Sequence, residues 1–241
     1  MIRYSVVLPA RNESSRLERN VTLLDDFMQK LGSPYEIIIA EDGSSDGTDL
    51  IAKALAEQKR NVKVVQSKEK LGKGAAITRA VEKAKGQVVA FIDADLAADL
   101  NDLANLLKSV EGNCEVVVGS RWTKGSRVRR PRLSSLASKT YNVCASHLFK
   151  DGICDHQCGL KGFTMRVASE VLPKVRSVGW VWDTEFILRA MKAGYKVYEM
   201  PVSWQEPRKR ASLRTLELAP IMVLELLELW AREHVLSAEN G

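Results

Sequence analysis

Apolar, β-branched runs punctuate the first half of the chain at Tyr4 to Leu8, Glu36 to Ala40, Val62 to Gln66, Val88 to Ile92 and Glu115 to Gly119. Between them, apolar residues recur at helical spacing over Leu17 to Leu31, Thr48 to Gln58, Gly74 to Ala84 and Asn101 to Val110. Strands alternating with helices predict an α/β fold, a mostly parallel sheet with helices on both faces. Near the C-terminus, Leu213 to Leu236 reads as an amphipathic helix. Glu217, Glu225, Glu228, Arg232 and Glu233 interrupt it, so no run reaches the roughly 18 to 20 uncharged residues of a spanning helix. The pattern divides the chain into a main domain, 1–212, and a C-terminal helix and tail, 213–241.

In a parallel α/β sheet the ligand site lies at the carboxyl ends of the strands. Here those ends are polar and mostly acidic: Pro9-Ala10-Arg11-Asn12-Glu13, Glu41-Asp42-Gly43-Ser44 and Asp93-Ala94-Asp95. Carboxylates crowded on one edge repel one another unless a cation or hydrogen-bond donors sit among them, which points to a divalent metal, a hydroxyl-rich ligand, or both. If the extended conformation continues beyond Ile92, Asp93 and Asp95 point the same way and offer two hard oxygen ligands for Mg2+ or Mn2+. The plain alternative is helix capping by one of these acids. Glu41 or Asp42 is placed to accept hydrogen bonds from a base or ribose, whereas Asp46, Gly47 and Thr48 read as a turn that caps the next helix. Lys70-Leu71-Gly72-Lys73-Gly74 lacks phosphate-loop spacing but opens a helix, where Lys73 can face a nucleotide. Cys154 and Cys158 flank His156 with no second pair at metal spacing, which argues against zinc. Trp182-Asp183-Thr184-Glu185 sits at a helix start, where its acids serve as first-turn charges or, for Asp183, reach a sugar hydroxyl.

Composition narrows the setting. A 241-residue chain, 45% hydrophobic, can bury a full core, and four cysteines are too few for a disulfide scaffold and fit a reducing, cytoplasmic compartment. The first apolar run is far too short for a signal sequence. The net charge of +6 is concentrated in Arg121, Lys124, Arg127, Arg129, Arg130, Arg132 and Lys139, and in Arg208, Lys209, Arg210 and Arg214. Such clusters are solvated faces or seek phosphates, and no nucleic-acid-binding signature accompanies them.

Taken together, Ser5 to Glu13, Glu41 to Thr48, Gly72-Lys73-Gly74-Ala75, Asp93-Ala94-Asp95 and Gly119-Ser120-Arg121 resemble the inverting glycosyltransferases of family 2, which have the GT-A, Rossmann-like fold. Asp155 to Phe163 and Trp182 to Glu185 resemble the dolichyl-phosphate glucose synthase branch more than the mannose branch. The resemblance implies that Pro9, Arg11, Glu13 and Asp42 line a nucleotide pocket and that Asp93 and Asp95 hold the metal and diphosphate. It also implies that Arg121, Arg132 and Ser135 receive the acceptor phosphate, and it adds Gln157, Asp183 and Glu185 to the substrate-binding set. Ala10-Arg11 replaces a small-aromatic pair common in the first motif, Glu41 replaces the usual aspartate and Lys70 a frequent asparagine.

The implied reaction moves a hexose, with glucose from UDP-glucose favoured, onto a polyprenyl or dolichyl phosphate with inversion, at the cytoplasmic face of a membrane. GDP-mannose as donor and a hydroxyl acceptor, with Asp183 or Glu185 as base, stay open, as does a membrane partner subunit. A nucleotidyltransferase ranks below these because the glycine-rich loop after the first strand is lacking, and a noncatalytic basic module that binds membrane or nucleic acid leaves the acidic strand ends unexplained.

Overall fold

The computed structural model describes the backbone of residues 1–206 and 212–238 and the side chains of residues 1–206 and 221–234. The basic cluster at Arg208, Lys209, Arg210 and Arg214 falls outside the described side chains.

Each run expected to be a strand is one: β1 (Tyr4–Ala10), β2 (Tyr35–Asp42), β3 (Val62–Ser67), β4 (Val88–Ile92) and β5 (Val116–Ser120). The intervening helices are α1 (Leu17–Lys30), α2 (Thr48–Gln58), α3 (Lys73–Val81) and α4 (Leu100–Glu111). Strands β1 and β2 are buried almost throughout because both faces are covered. Alternation distributes their side chains: Val6, Leu8, Ile37, Ile39, Ala90 and Ile92 pack with Leu17, Val21 and Leu24 of α1 and Leu103, Leu106 and Leu107 of α4. Val7, Ile38, Val89 and Phe91 pack on the other face with Ala76, Ile77 and Ala80 of α3.

The second half holds the helices expected from Trp182 and over Leu213 to Leu236, together with elements that the apolar pattern does not announce. They are β6 (Arg127–Arg129), α5 (Arg132–Phe149), β7 (Leu160–Thr164), α6 (Met165–Val171), α7 (Trp182–Lys192), β8 (Val197–Pro201), β9 (Ser203–Gln205) and α8 (Ser212–Ala238). The main sheet runs β3-β2-β1-β4-β7-β5-β8, with β6 and β9 forming a separate parallel ribbon. Strand β7 lies antiparallel between β4 and β5, with Ile92 opposite Leu160 and Phe91 opposite Lys161. Its Gly162 lets α4 approach closely, since a Cβ there would meet Leu106 Cδ2 at 2.1 Å.

Helix α8 is present, but apolar residues face both ways among its described side chains. Leu226 and Leu229 are buried against Tyr141 and Ala145 of α5, while Ile221, Val223, Leu224 and Leu227 are exposed. The clean polar face of an amphipathic helix is not seen there. Among the described residues, no helix is long and apolar enough to cross a membrane.

Helix α3 meets α7 where Gly74 faces Trp182, whose ring stacks on Phe186 at 5.4 Å and meets Phe91 edge-on at 5.9 Å. A Cβ at Gly74 would lie 2.3 Å from Trp182 Cβ and Cγ, atoms near the backbone that cannot swing away. Gly74→Ala is therefore expected to destabilise the chain by about 1–3 kcal/mol through overpacking. Urea unfolding should show a lower midpoint with an unchanged slope.

Candidate active site

The carboxyl ends of β1, β2 and β4 meet as expected, and each loop is tied to the next. Asn12, in the left-handed region at φ 55°, donates its backbone N–H to Ser44 Oγ, and its Oδ1 accepts from Ser45 N, both at 3.0 Å. Asp46 accepts from Thr48 N and Ser14 Oγ. Burial works against its charge, but these bonds hold its carboxyl down at about 2, which agrees with the turn-and-cap expectation. Glu13 pairs with Arg16 at 2.5 Å. Pro9 is the one partly exposed residue of β1, and Arg11, just beyond the strand, has a buried Nε that makes no hydrogen bond. Asp42 accepts from Leu71 N at 2.6 Å and Gly72 N at 3.1 Å, so it organises the entry to α3.

Asp93 and Asp95 line one cavity of about 500 Å3, but not through strand alternation. Strand β4 ends at Ile92, and the chain turns at once, with Leu96 N donating to Asp93 O at 2.9 Å. Leu96 sits at φ 50°, a strained conformation for a bulky side chain. The helix cap is Asp99, which accepts from Asn101 N, so neither Asp93 nor Asp95 is used as a cap. Gly159 of the loop before β7 makes room for Asp93: a Cβ there would fall 1.9 Å from Asp93 Oδ2. Lys73 Nζ reaches Asp93 at 2.8 Å. Burial opposes that ammonium's charge, yet Asp93 and then Asp183 raise its hold on the proton. Burial, and then repulsion from Asp93, pushes the Asp95 carboxyl up to about 6.

Two crowded carboxylates with room beside them suit a hard divalent cation. Among the described residues no three His, Cys, Asp or Glu side chains come together as a metal-ligand group, so Asp93 and Asp95 stand as a pair and Cys154, Cys158 and His156 do not cluster. His156 instead bonds Asp151 at 2.9 Å through Nε2.

Of the residues expected at the acceptor phosphate, Arg121 lines the cavity but is held by Asp155. Its Nε and Nη2 donate to that carboxylate at 2.7 and 2.8 Å, and Nη2 also reaches Ser138. Burial alone would push Asp155 up, but Arg121 holds it below the usual carboxylate range. Arg132 is exposed at the first turn of α5, and neither it nor Ser135 lines the cavity. Their neighbours Arg130 and Ser134 do. Arg130 Nε lies 2.8 Å from Glu206 Oε2, off the line of a hydrogen bond, while Arg130 Nη1 and Ser134 Oγ are buried without hydrogen-bond partners.

Gln157 and Asp183 line the same cavity. Gln157 Nε2 is buried without a partner. Asp183 is ion-paired to Lys161, whose fully buried Nζ donates to Asp183 Oδ1 and Cys158 O, both at 2.7 Å. Glu185 turns away from the cavity. It accepts from Ser177 N at 2.7 Å, Arg176 N at 3.1 Å and Arg189 Nη2 at 3.1 Å. Despite burial, the Ser177 and Arg189 bonds keep its carboxyl low.

The comparisons agree with this architecture. The profile of Glycosyl transferase family 2 matches residues 5–172, and the chain belongs to that family. It is 35% identical over 207 residues to glycosyltransferase AglD of Haloferax volcanii, covering 85% of this chain and 33% of that protein. It is 30% identical over 222 residues to a dolichyl-phosphate β-glucosyltransferase of Dictyostelium discoideum, covering 85% of this chain and 67% of that one. The chain thus spans a third of the first relative's length. In fold it matches glucosyl-3-phosphoglycerate synthase of Mycobacterium tuberculosis, solved with Mn2+, UDP-glucose and phosphoglyceric acid, at a TM-score of 0.69 and 19% identity over 95% of this chain and 79% of that one. Mannosyl-3-phosphoglycerate synthase of Rubrobacter xylanophilus gives 0.67 at 18%, over 97% and 75%. The expected GT-A architecture is the one present.

The raised Asp95 carboxyl carries a sign. Its folded proton affinity exceeds that of the unfolded chain, so its contribution to stability is present at low pH and is lost as pH rises through about 6. Asp95→Asn should raise the melting temperature of the metal-free chain at pH 7.5 by a few degrees, and the gain should vanish near pH 4. Equal melting temperatures at pH 7.5 would remove the repulsion argument.

Proposed function

We propose that this chain transfers glucose from UDP-glucose to a polyprenyl or dolichyl phosphate with inversion, using Mg2+ or Mn2+, while docked peripherally at the cytoplasmic face of a membrane. The observation that carries this reading is that one cavity is lined by Asp93 and Asp95, by Arg130 and Ser134, and by the apolar side chains of Leu133, Leu136, Met222 and Val223. A donor diphosphate, an acceptor phosphate and a hydrocarbon chain each find matching chemistry there. Pro9, Arg11, Glu13 and Asp42 serve the nucleotide in this reading.

A divalent cation bound by Asp93 and Asp95 would supply stabilisation of the charge gathering on the leaving diphosphate. The protein's own groups do the rest. A lipid monophosphate, with a second pKa near 6, arrives largely dianionic and needs no general base. Its oxygen attacks C1 of the hexose, the bond from C1 to the UDP oxygen breaks with its electron pair leaving on UDP, and an α-linked donor gives a β-linked product. The Lys161–Asp183 pair supports this route, because a carboxylate engaged by a buried ammonium is poorly placed to take a proton. Arg130 Nη1 and Ser134 Oγ, which lack partners, are suited to the phosphate, and Arg121 holds the floor rigid beside them.

Helix α5 supports the membrane assignment. Ser134, Ser138, Tyr141 and Ala145 form its buried stripe, while Leu133, Leu136 and Val143 are exposed. A helix that turns hydroxyls inward and aliphatic side chains outward beside a cavity mouth suits an interface with lipid. Arg132 and Lys139 on its exposed surface add attraction to anionic headgroups. All four cysteines are unpaired, which fits a reducing compartment.

The test is transfer of labelled sugar from UDP- and GDP-sugars to a short polyprenyl phosphate, with Mg2+, Mn2+ or EDTA. Metal-dependent label from UDP-glucose in the lipid phase is expected. Nucleotide release without lipid labelling would move the acceptor elsewhere, and labelling from GDP-mannose alone would change the donor. Arg130→Ala should raise the KM for the lipid phosphate about tenfold or more, as loss of a charge-assisted contact does, with UDP affinity unchanged. Asp183→Asn should keep measurable transfer to the phosphate acceptor, and complete loss with intact donor binding would restore the base mechanism.

A further inference from the structure

Resting on the reading above that the cavity takes a nucleotide sugar, we propose that Trp180 is the platform on which the donor's hexose ring stacks, so that this residue recognises the sugar separately from the nucleotide.

Two tryptophans lie within three residues of each other here, with opposite fates. Trp182 is 1% exposed and stacks in the core on Phe186, whereas Trp180 is 39% exposed and lines the cavity. The exposure of Trp180 does not come from a loose loop. Glu185 takes the backbone N–H groups of Arg176 and Ser177, Arg232 of α8 donates to Ser177 Oγ at 3.2 Å, and Val178 O accepts from Ala75 N at 3.1 Å. Gly72 permits the last contact, since a Cβ there would stand 2.4 Å from Val178 O. An exposed indole on a backbone pinned from α3, α7 and α8 is pre-organised for a ligand.

Its position selects the ligand. Lys73 Nζ lies 5.9 Å from the centre of the Trp180 ring and 2.8 Å from Asp93, so the ring stands one side chain away from the carboxylates assigned to the diphosphate end. The group attached to that diphosphate is the hexose. A pyranose presents a face of C–H groups, which suits the electron-rich face of an indole, and an edge of hydroxyls. The same cavity supplies polar partners for that edge in Gln157 Nε2, which has no hydrogen-bond partner, and the Asp183 carboxylate, which Lys161 fixes in place. In this arrangement Glu185, which does not reach the cavity, is a positioning residue acting through the loop that carries Trp180.

The experiment titrates the full chain, in Mn2+, with UDP and with UDP-glucose, as wild type, Trp180→Ala and Trp180→Phe. Trp180→Ala should bind UDP within about twofold of wild type and bind UDP-glucose about tenfold more weakly, as expected for loss of one aromatic contact. Trp180→Phe should recover most of the difference, and the KM for polyprenyl phosphate should stay unchanged in both. Equal weakening toward UDP and UDP-glucose would overturn the assignment in favour of a structural role for the loop. An increase confined to the lipid KM would overturn it in favour of a hydrocarbon contact. If the wild-type chain favours another nucleotide sugar, the same comparison with that donor and its free nucleotide decides the role of Trp180, while the UDP-glucose reading alone falls. A wild-type chain that binds no nucleotide sugar overturns both.

Discussion

The repulsion between Asp93 and Asp95 is the constraint around which the site is arranged. Burial, and then the neighbouring charge of Asp93, raises the proton affinity of Asp95. The fold keeps them together with specific devices. Leu96 accepts a left-handed conformation that brings the chain round, Gly159 leaves out the Cβ that would collide with Asp93, and Lys73 supplies a positive charge at 2.8 Å. The antiparallel strand β7 contributes to the same arrangement. With Ile92 opposite Leu160, the residue after β4 falls opposite Gly159, and Asp93 N donates to Gly159 O at 3.0 Å. A parallel crossover would have placed a strand end there instead of a hairpin-like approach from the opposite direction.

This explains how much was legible beforehand. Strands β1 to β5 and helices α1 to α4 were readable because each is a local pattern, and their parallel order follows from the alternation. That Asp93 and Asp95 share a site was also readable, but the reason given by strand alternation was not the operative one, because turn geometry at Leu96 carries no strong sequence signal. Strand β7 escaped notice since Lys161 and Gly162 weaken its apolar run, and the reason for each lies far along the chain, in Asp183 and Leu106. The positions of Arg130 and Ser134 depended on register. Pro131 caps α5, and the spacing of Ser134, Ser138, Tyr141 and Ala145 marks its inward face, a helical period open to reading in the sequence but masked by the run of arginines.

Glu185 illustrates the opposite case. A carboxylate in a motif shared with a family invites a role in binding, yet here its oxygens hold Arg176 N, Ser177 N and Arg189. Such hydrogen bonds to a charged acceptor are stronger than neutral ones, and they fix a loop that would otherwise have few restraints. Trp182 adds a second anchor through Nε1, which donates to Thr78 Oγ1 at 3.0 Å. The motif therefore splits its work between Asp183, on the cavity wall, and Trp182 and Glu185, which hold that wall in position.

The buried ion pairs finally decide where charge remains available. Arg121 is matched by Asp155, Lys161 by Asp183 and Lys73 by Asp93, so three of the cations lining or lying beneath the cavity already have an acid in hydrogen-bonding contact. Pairs of this kind contribute little net stability after desolvation, but they fix geometry. Among the charged lining residues described, Asp95 and the Nη1 atom of Arg130 stay poorly matched. Burial and the neighbouring Arg121 weaken the hold of Arg130 on its proton, and Glu206 only partly offsets them. One cavity thus holds an acid whose charge burial and Asp93 oppose and, beside the Arg130–Glu206 ion pair, a guanidinium nitrogen left without a hydrogen-bond partner, so a cation suits the first and an anion the second.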